Sequence, residues 1–80
     1  MTRNARIRRC LAQAPSTSHE IAFITGMTRR TVQIGLWILR RQGHVVSIRE
    51  IPRPGKGRPI KLYDLTAKGR AIAASEVHGL

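Results

Sequence analysis

The chain has 80 residues, the size of one small domain with a modest core. Hydrophobic residues make up 41%, which excludes wholesale disorder, and a single cysteine excludes a disulfide framework or a zinc–thiolate cluster. Fifteen Lys and Arg oppose four acids, a formal net charge of +11 that implies a polyanionic partner, nucleic acid before an anionic membrane surface.

Twelve of the fifteen cations are Arg, the side chain suited to bidentate contact with phosphate and guanine. A general solubility bias would raise the acids alongside the bases, yet only Glu20, Glu50, Asp64 and Glu76 are present. No stretch approaches the roughly 18 uninterrupted apolar residues of a membrane span, and MTRNARIRRC lacks an apolar signal core. The expectation is a cytoplasmic, nucleoid-associated protein with no membrane partner.

Ile7, Cys10, Leu11 and Ala14 fall at i, i+3, i+4 and i+7, which predicts a helix from residue 3 to about 14, with Arg3, Arg6, Arg8 and Arg9 on its remaining surface. Pro15 stops it. Thr17-Ser18-His19-Glu20 fits a capping box for a short second helix through Ile21, Ala22 and Ile24, and Gly26 suits the left-handed position after its end. Thr28 is a good N-cap for a third helix reaching about Gln42, with Val32, Leu36 and Leu39 inward and Gly43 as its stop. A few residues with a glycine at the turn separate these two helices, the helix-turn-helix pattern.

The period then changes. Residues 44–51 (HVVSIREI) are rich in β-branched side chains and read as a strand, and residues 60–65 (IKLYDL) alternate and read as a second. Between them lies PRPGKGRP, a hairpin loop whose prolines sit where no ladder donor is needed. Thr66 caps a last helix through Ala67, Ala71, Ile72 and Ala74. The fold class is α+β: three helices, a two-stranded β-hairpin and a short C-terminal helix, in one domain over 1–80 with a core at about 4–75 and a tail at 76–80.

This order resembles the winged helix-turn-helix DNA-binding domain. Thr17-x-x-Glu20-Ile21-Ala22, then Thr25-Gly26-Met27-Thr28-Arg29-Arg30-Thr31-Val32, then Leu36-x-x-Leu39 and Gly43 are similar to the signature of its second and third helices. Tyr63-Asp64-Leu65-Thr66-Ala67-Lys68-Gly69 is similar to the strand-to-helix ending of MarR-like and PadR-like transcriptional regulators. Those regulators carry additional helices or a second domain for dimerisation, and no such segment is read here.

The resemblance implies sequence-specific binding of double-stranded DNA by a transcriptional regulator. The third helix would enter the major groove, placing Thr28, Arg29, Arg30, Thr31, Gln33, Ile34 and Trp37 where side chains meet base edges or phosphates. Thr17 and Ser18 open the second helix, where free amides and hydroxyls suit a phosphate or serve only as caps. Arg49, Arg53, Lys56, Arg58 and Lys61 would form a basic wing on the backbone or minor groove, and Gly57-Arg58-Pro59 resembles the core of an AT-hook. Ile34, Trp37 and Ile38 lie on a face rotated away from the inner stripe. Packing of Trp37 and Ile38 beneath the wing or the first helix is the expected reading, with a partner surface or contact with thymine methyl groups as alternatives. The arginines of the first helix would serve phosphate, a second protomer or an acidic protein partner.

Nothing points to catalysis, to a metal or to any other cofactor. The acids are scattered, His19, His44 and His78 lack ligand spacing, and PGKGRP has neither the full spacing nor the following helix of a phosphate-binding loop. Three other roles fit the same composition. These are an architectural protein for recombination, excision or replication of a mobile element, an RNA-binding module, and a protein adaptor built on the Ile34, Trp37 and Ile38 face.

Overall fold

A computed structural model of the chain describes residues 1–55 and 57–78. The order is α1 (Arg3–Gln13), β1 (Ser16–Thr17), α2 (Ser18–Thr25), α3 (Arg29–Arg41), β2 (Val45–Ile51), β3 (Ile60–Leu65) and α4 (Ala67–His78). Each of the first three helices starts on a threonine. Thr2 Oγ1 accepts from Ala5 N at 3.1 Å, Thr17 Oγ1 from Glu20 N at 3.2 Å, and Thr28 Oγ1 from Thr31 N at 3.2 Å. Glu20 completes the capping box by accepting from the Thr17 amide at 2.9 Å. Pro15 ends α1 by forcing Ala14 into extended backbone (φ −168°, ψ 152°). Gly26 takes the left-handed conformation at φ 75° after α2 and donates to the Ala22 carbonyl at 2.9 Å.

Ile7, Leu11, Ile21, Val32 and Leu39 are fully buried, and Cys10, Leu36, Val45, Leu65 and Ala73 complete the core. Ile7, Cys10 and Leu11 on α1 and Val32, Leu36 and Leu39 on α3 are the positions that helical spacing turns inward. Burying each of the large side chains contributes about 1.5–3 kcal/mol relative to leaving it exposed. Burial also pushes the Cys10 thiol above its ordinary value, so it behaves as a small apolar core residue. Helix α2 buries Ile21 fully and packs the half-buried Ala22 against the core. Ile24 faces outward, and Phe23 is 90% exposed.

The sheet has the order β1-β3-β2, antiparallel throughout. Strand β1 was not expected. Its two residues leave Pro15 already extended and pair Ser16 with Tyr63 and Thr17 with Leu62, which ties the start of α2 to the base of the wing. In β2 a bulge falls between Ser47 and Arg49. Ser47 opposes Tyr63 and Arg49 opposes Leu62, so the side-chain alternation shifts by one residue beyond Ile48.

Arg8, expected on the surface of the first helix, is only 9% exposed. It reaches across to α4, donating from Nε to Glu76 Oε1 at 2.8 Å and from Nη2 to Glu76 Oε2 at 2.7 Å, with His44 Nδ1 3.5 Å from Nη1. The planar guanidinium matches both carboxylate oxygens, which makes burial of the charge tolerable. Arg6 is engaged as well, donating to the Thr25 carbonyl at the C-terminal end of α2.

This cluster predicts how stability depends on pH. Burial, then the Arg8 and Lys68 cations, lower the His44 pKa, and the Arg8 hydrogen bonds hold Glu76 below the ordinary carboxylate range. In both cases the unfolded chain takes up a proton at higher pH than the folded one, so stability is lost as pH falls. Tm is expected to fall first below about pH 6.5 through His44 and again below about pH 4.3 through Glu76. Thermal melts of His44→Gln should lack the upper stage, and those of Glu76→Gln the lower. Identical pH profiles for wild type and both variants would contradict this account.

Candidate nucleic-acid interface

Helix α3 makes about 3.6 residues per turn. Val32, Gly35, Leu36 and Leu39 occupy its buried side. Directly opposite, at i, i+4, i+7 and i+11, run Arg30, Ile34, Trp37 and Arg41, all exposed. Trp37 is 58% and Ile34 43% exposed, and only Ile38 of the expected apolar trio is half-buried. Packing of Trp37 beneath the wing or α1 is therefore corrected. Its angular position is opposite the core, and it stands at the rim of an open groove formed with Arg40, Arg41 and Val45, Val46 and Ser47 of β2 rather than packed beneath them. The Arg41 guanidinium lies 4.9 Å from the centroid of the Trp37 ring, a cation–π contact that orders both.

On the flank of α3 nearest the wing, Arg29 and Gln33 open into a cleft of about 420 Å³ closed by β2, β3 and the loop between them. Arg53, Arg58 and Lys61 line it from the wing, and Ser18 and His19 from the start of α2. Glu50 is its only acid among the described residues. Four cations against one carboxylate in a concave, partly apolar wall concentrate positive potential. Tyr63 forms part of the floor, with the Arg40 guanidinium 6.0 Å from its ring centroid.

The remaining expected site residues divide by position. Thr17 is buried, with its amide and hydroxyl both bonded to Glu20, so of the Thr17–Ser18 pair only Ser18 opens on the cleft. Thr28 and Thr31 stand at the start of α3, where the Thr28 hydroxyl donates to Thr31 Oγ1 at 2.8 Å and accepts from the Thr31 amide. Arg49 parts company with Lys61. Lys61 shares a face with its partner Glu50 on the cleft side, and Arg49 shares the opposite face with Leu62, because the bulge has shifted the alternation. Lys56 lies outside the described residues.

Three residues of this face were not singled out from the sequence. His19 was read as part of a capping box and set aside as a metal ligand, yet it lines the cleft and its Nδ1 is buried with no hydrogen-bond partner. Arg40 and Arg41, in the last turn of α3, received no role. Their spacing from Trp37 and from the strand supplied the only available signal.

The pattern of α1, α2, α3 and a β2–β3 wing is the winged helix-turn-helix fold, with β1 as the third strand and α4 closing the domain. No protein-family model matches the chain, and neither does any curated protein sequence. Solved structures do. Lactococcus lactis ZitR, a zinc-responsive MarR family member, superposes with a TM-score of 0.73 at 23% identity over 98% of this chain and 52% of that one. The adhesin competence repressor AdcR of Streptococcus pyogenes gives 0.76 at 19% identity over 99% and 56%. Streptococcus pneumoniae FabT, solved in complex with DNA, gives 0.71 at 22% identity over 94% and 50%. The chain thus spans about half the length of the structures it matches.

Proposed function

We infer that this protein binds double-stranded DNA sequence-specifically as a transcriptional regulator. In this reading α3 enters the major groove, and the wing grips the adjoining backbone or minor groove. The observation that carries it is the cation-lined cleft on the flank of α3, beside its exposed outer row. A helix seated in the groove would present Arg30, Ile34 and Trp37 to base edges. The same pose would bring the flanking phosphate strand to Arg29, Arg53, Arg58, Lys61 and the start of α2. The shared fold with a protein solved on DNA and with a named repressor agrees with this reading.

Selection of bound sequences from a random duplex library at about 150 mM salt tests it, since non-specific electrostatic binding is weakened there. A sharply enriched motif is expected, and an inverted repeat within it would mean that two copies bind together. Neutralising about six phosphates gives a slope of log affinity against log salt of about −5. Binding with that slope but no enriched motif would instead favour an architectural role, and a slope near zero would overturn the electrostatic basis of the interface.

A further inference from the structure

We propose that Ile34 and Trp37 read the C5-methyl groups of thymine, making them specificity-determining residues; this rests on the DNA-binding reading above. Both side chains are large, apolar and exposed on the outermost line of α3. In water that exposure is unfavourable, and only a surface that covers the residues recovers the loss. The major groove floor is otherwise a pattern of donors and acceptors, and the thymine methyl is its one apolar group. Ile34 can neither donate nor accept a hydrogen bond, and Trp37 can only donate from its indole nitrogen, so methyl contact is what the pair is suited to recognise.

The charges around the pair select the same occupant. Arg30 and Arg41 bracket it along the helix, 11 residues apart and so about 16 Å along the axis. That spacing lets them approach the phosphates on either side of a groove roughly 12 Å wide while Ile34 and Trp37 sit at its floor. Arg41 covers one face of the Trp37 ring at 4.9 Å and β2 borders the groove beside it, while the indole stays 58% exposed, which leaves apolar surface for a base edge. An acid-free, cation-bracketed apolar strip beside the cleft suits a nucleic acid groove better than an apolar protein surface.

A chemical double-mutant cycle tests this on the selected duplex. Uracil differs from thymine only by lacking the methyl, so deoxyuridine is substituted at each thymine in turn. Wild-type affinity is expected to drop about fourfold at one or two positions, the value of one buried methyl group. Ile34→Ala or Trp37→Ala should abolish that drop at the matching position, so that the ratio of thymine to uracil affinities falls to about 1 whatever overall affinity the variant loses. Both side chains are exposed, so neither variant perturbs the core. A site in which wild type binds uracil and thymine duplexes equally, or a uracil penalty that persists in both variants, overturns the proposal while sequence-specific binding stands. Equal affinities of Trp37→Ala and wild type for every duplex would mark the strip as a protein-docking surface instead. If the library yields no motif, the sequence-specific reading fails first and this inference fails with it.

Discussion

Replacing Gly69 with Ala is expected to destabilise the protein by about 2 kcal/mol, although the same change in an ordinary helix stabilises by about 1 kcal/mol. Gly69 lies in the first turn of α4, where Thr66 fastens the helix to the turn after α3. The Thr66 amide donates to the His44 carbonyl at 3.0 Å, its hydroxyl donates to the Gly43 carbonyl at 2.5 Å, and the Gly69 amide donates to Thr66 Oγ1 at 3.1 Å. A Cβ at Gly69 would stand 2.0 Å from the His44 oxygen and 2.9 Å from its carbonyl carbon. Both are backbone atoms, so no rotamer change relieves the clash, and the helix must move away from the turn. Overpacking of this kind costs about 3 kcal/mol at its upper end, which outweighs the propensity gain. For a domain of this size the net loss lowers Tm by roughly 10 °C. Thermal denaturation measures it directly, with Lys68→Ala on the exposed side of the same turn as control. A Tm for Gly69→Ala equal to or above wild type would show that α4 is not held against His44 as described.

Arg30→Ala is expected to separate binding from stability. Arg30 is the first residue of the outer row on α3, at the end of the helix that in the proposed pose would point most directly at base edges. A bidentate contact with a guanine is worth about 1–3 kcal/mol of discrimination, so affinity for the selected site should fall roughly five- to 150-fold. Affinity for unrelated duplexes should change much less. Stability should rise slightly, because a cation at a helix N-terminus opposes the helix dipole by about 0.3–1 kcal/mol. Arg29→Ala provides the contrast. Its side chain opens into the cleft, where phosphate contact is expected, so its loss should weaken all sequences alike and flatten the salt slope by about 1. Titrations of specific and random duplexes at several salt concentrations measure both. Equal losses on the two duplexes for Arg30→Ala, or a change of preferred sequence for Arg29→Ala, would reverse this division of labour.

Much of the fold was legible because its signals are local. Threonine caps, Pro15, Gly26 and the apolar spacing of Ile7, Leu11, Val32, Leu36 and Leu39 each act within a turn or two of chain, and the helices begin and end where these residues predict. The change from helical period to β-branched runs located the wing in the same way. Strand β1 was not legible, since two residues carry no period and their pairing partner lies on the far side of the domain. Nor was the bulge at Ile48, which turned Arg49 away from Lys61 without any mark in the composition of the strand.

The candidate interface divides along the same line. Charge, arginine content and the order of elements by themselves determined that a basic helix-turn-helix face with a basic wing should exist, because net charge and local periodicity are properties of the chain. Only the tertiary structure decided which cations belong to that face. It withdrew Arg8 to Glu76 and Arg6 to the end of α2, committed Thr17 to its cap, and brought His19, Arg29, Arg53, Arg58 and Lys61 around one cleft. It also left Trp37 and Ile34 bare on the outer row of α3. A side chain's partner depends on which distant elements pack beside it, and long-range packing is what local spacing does not encode.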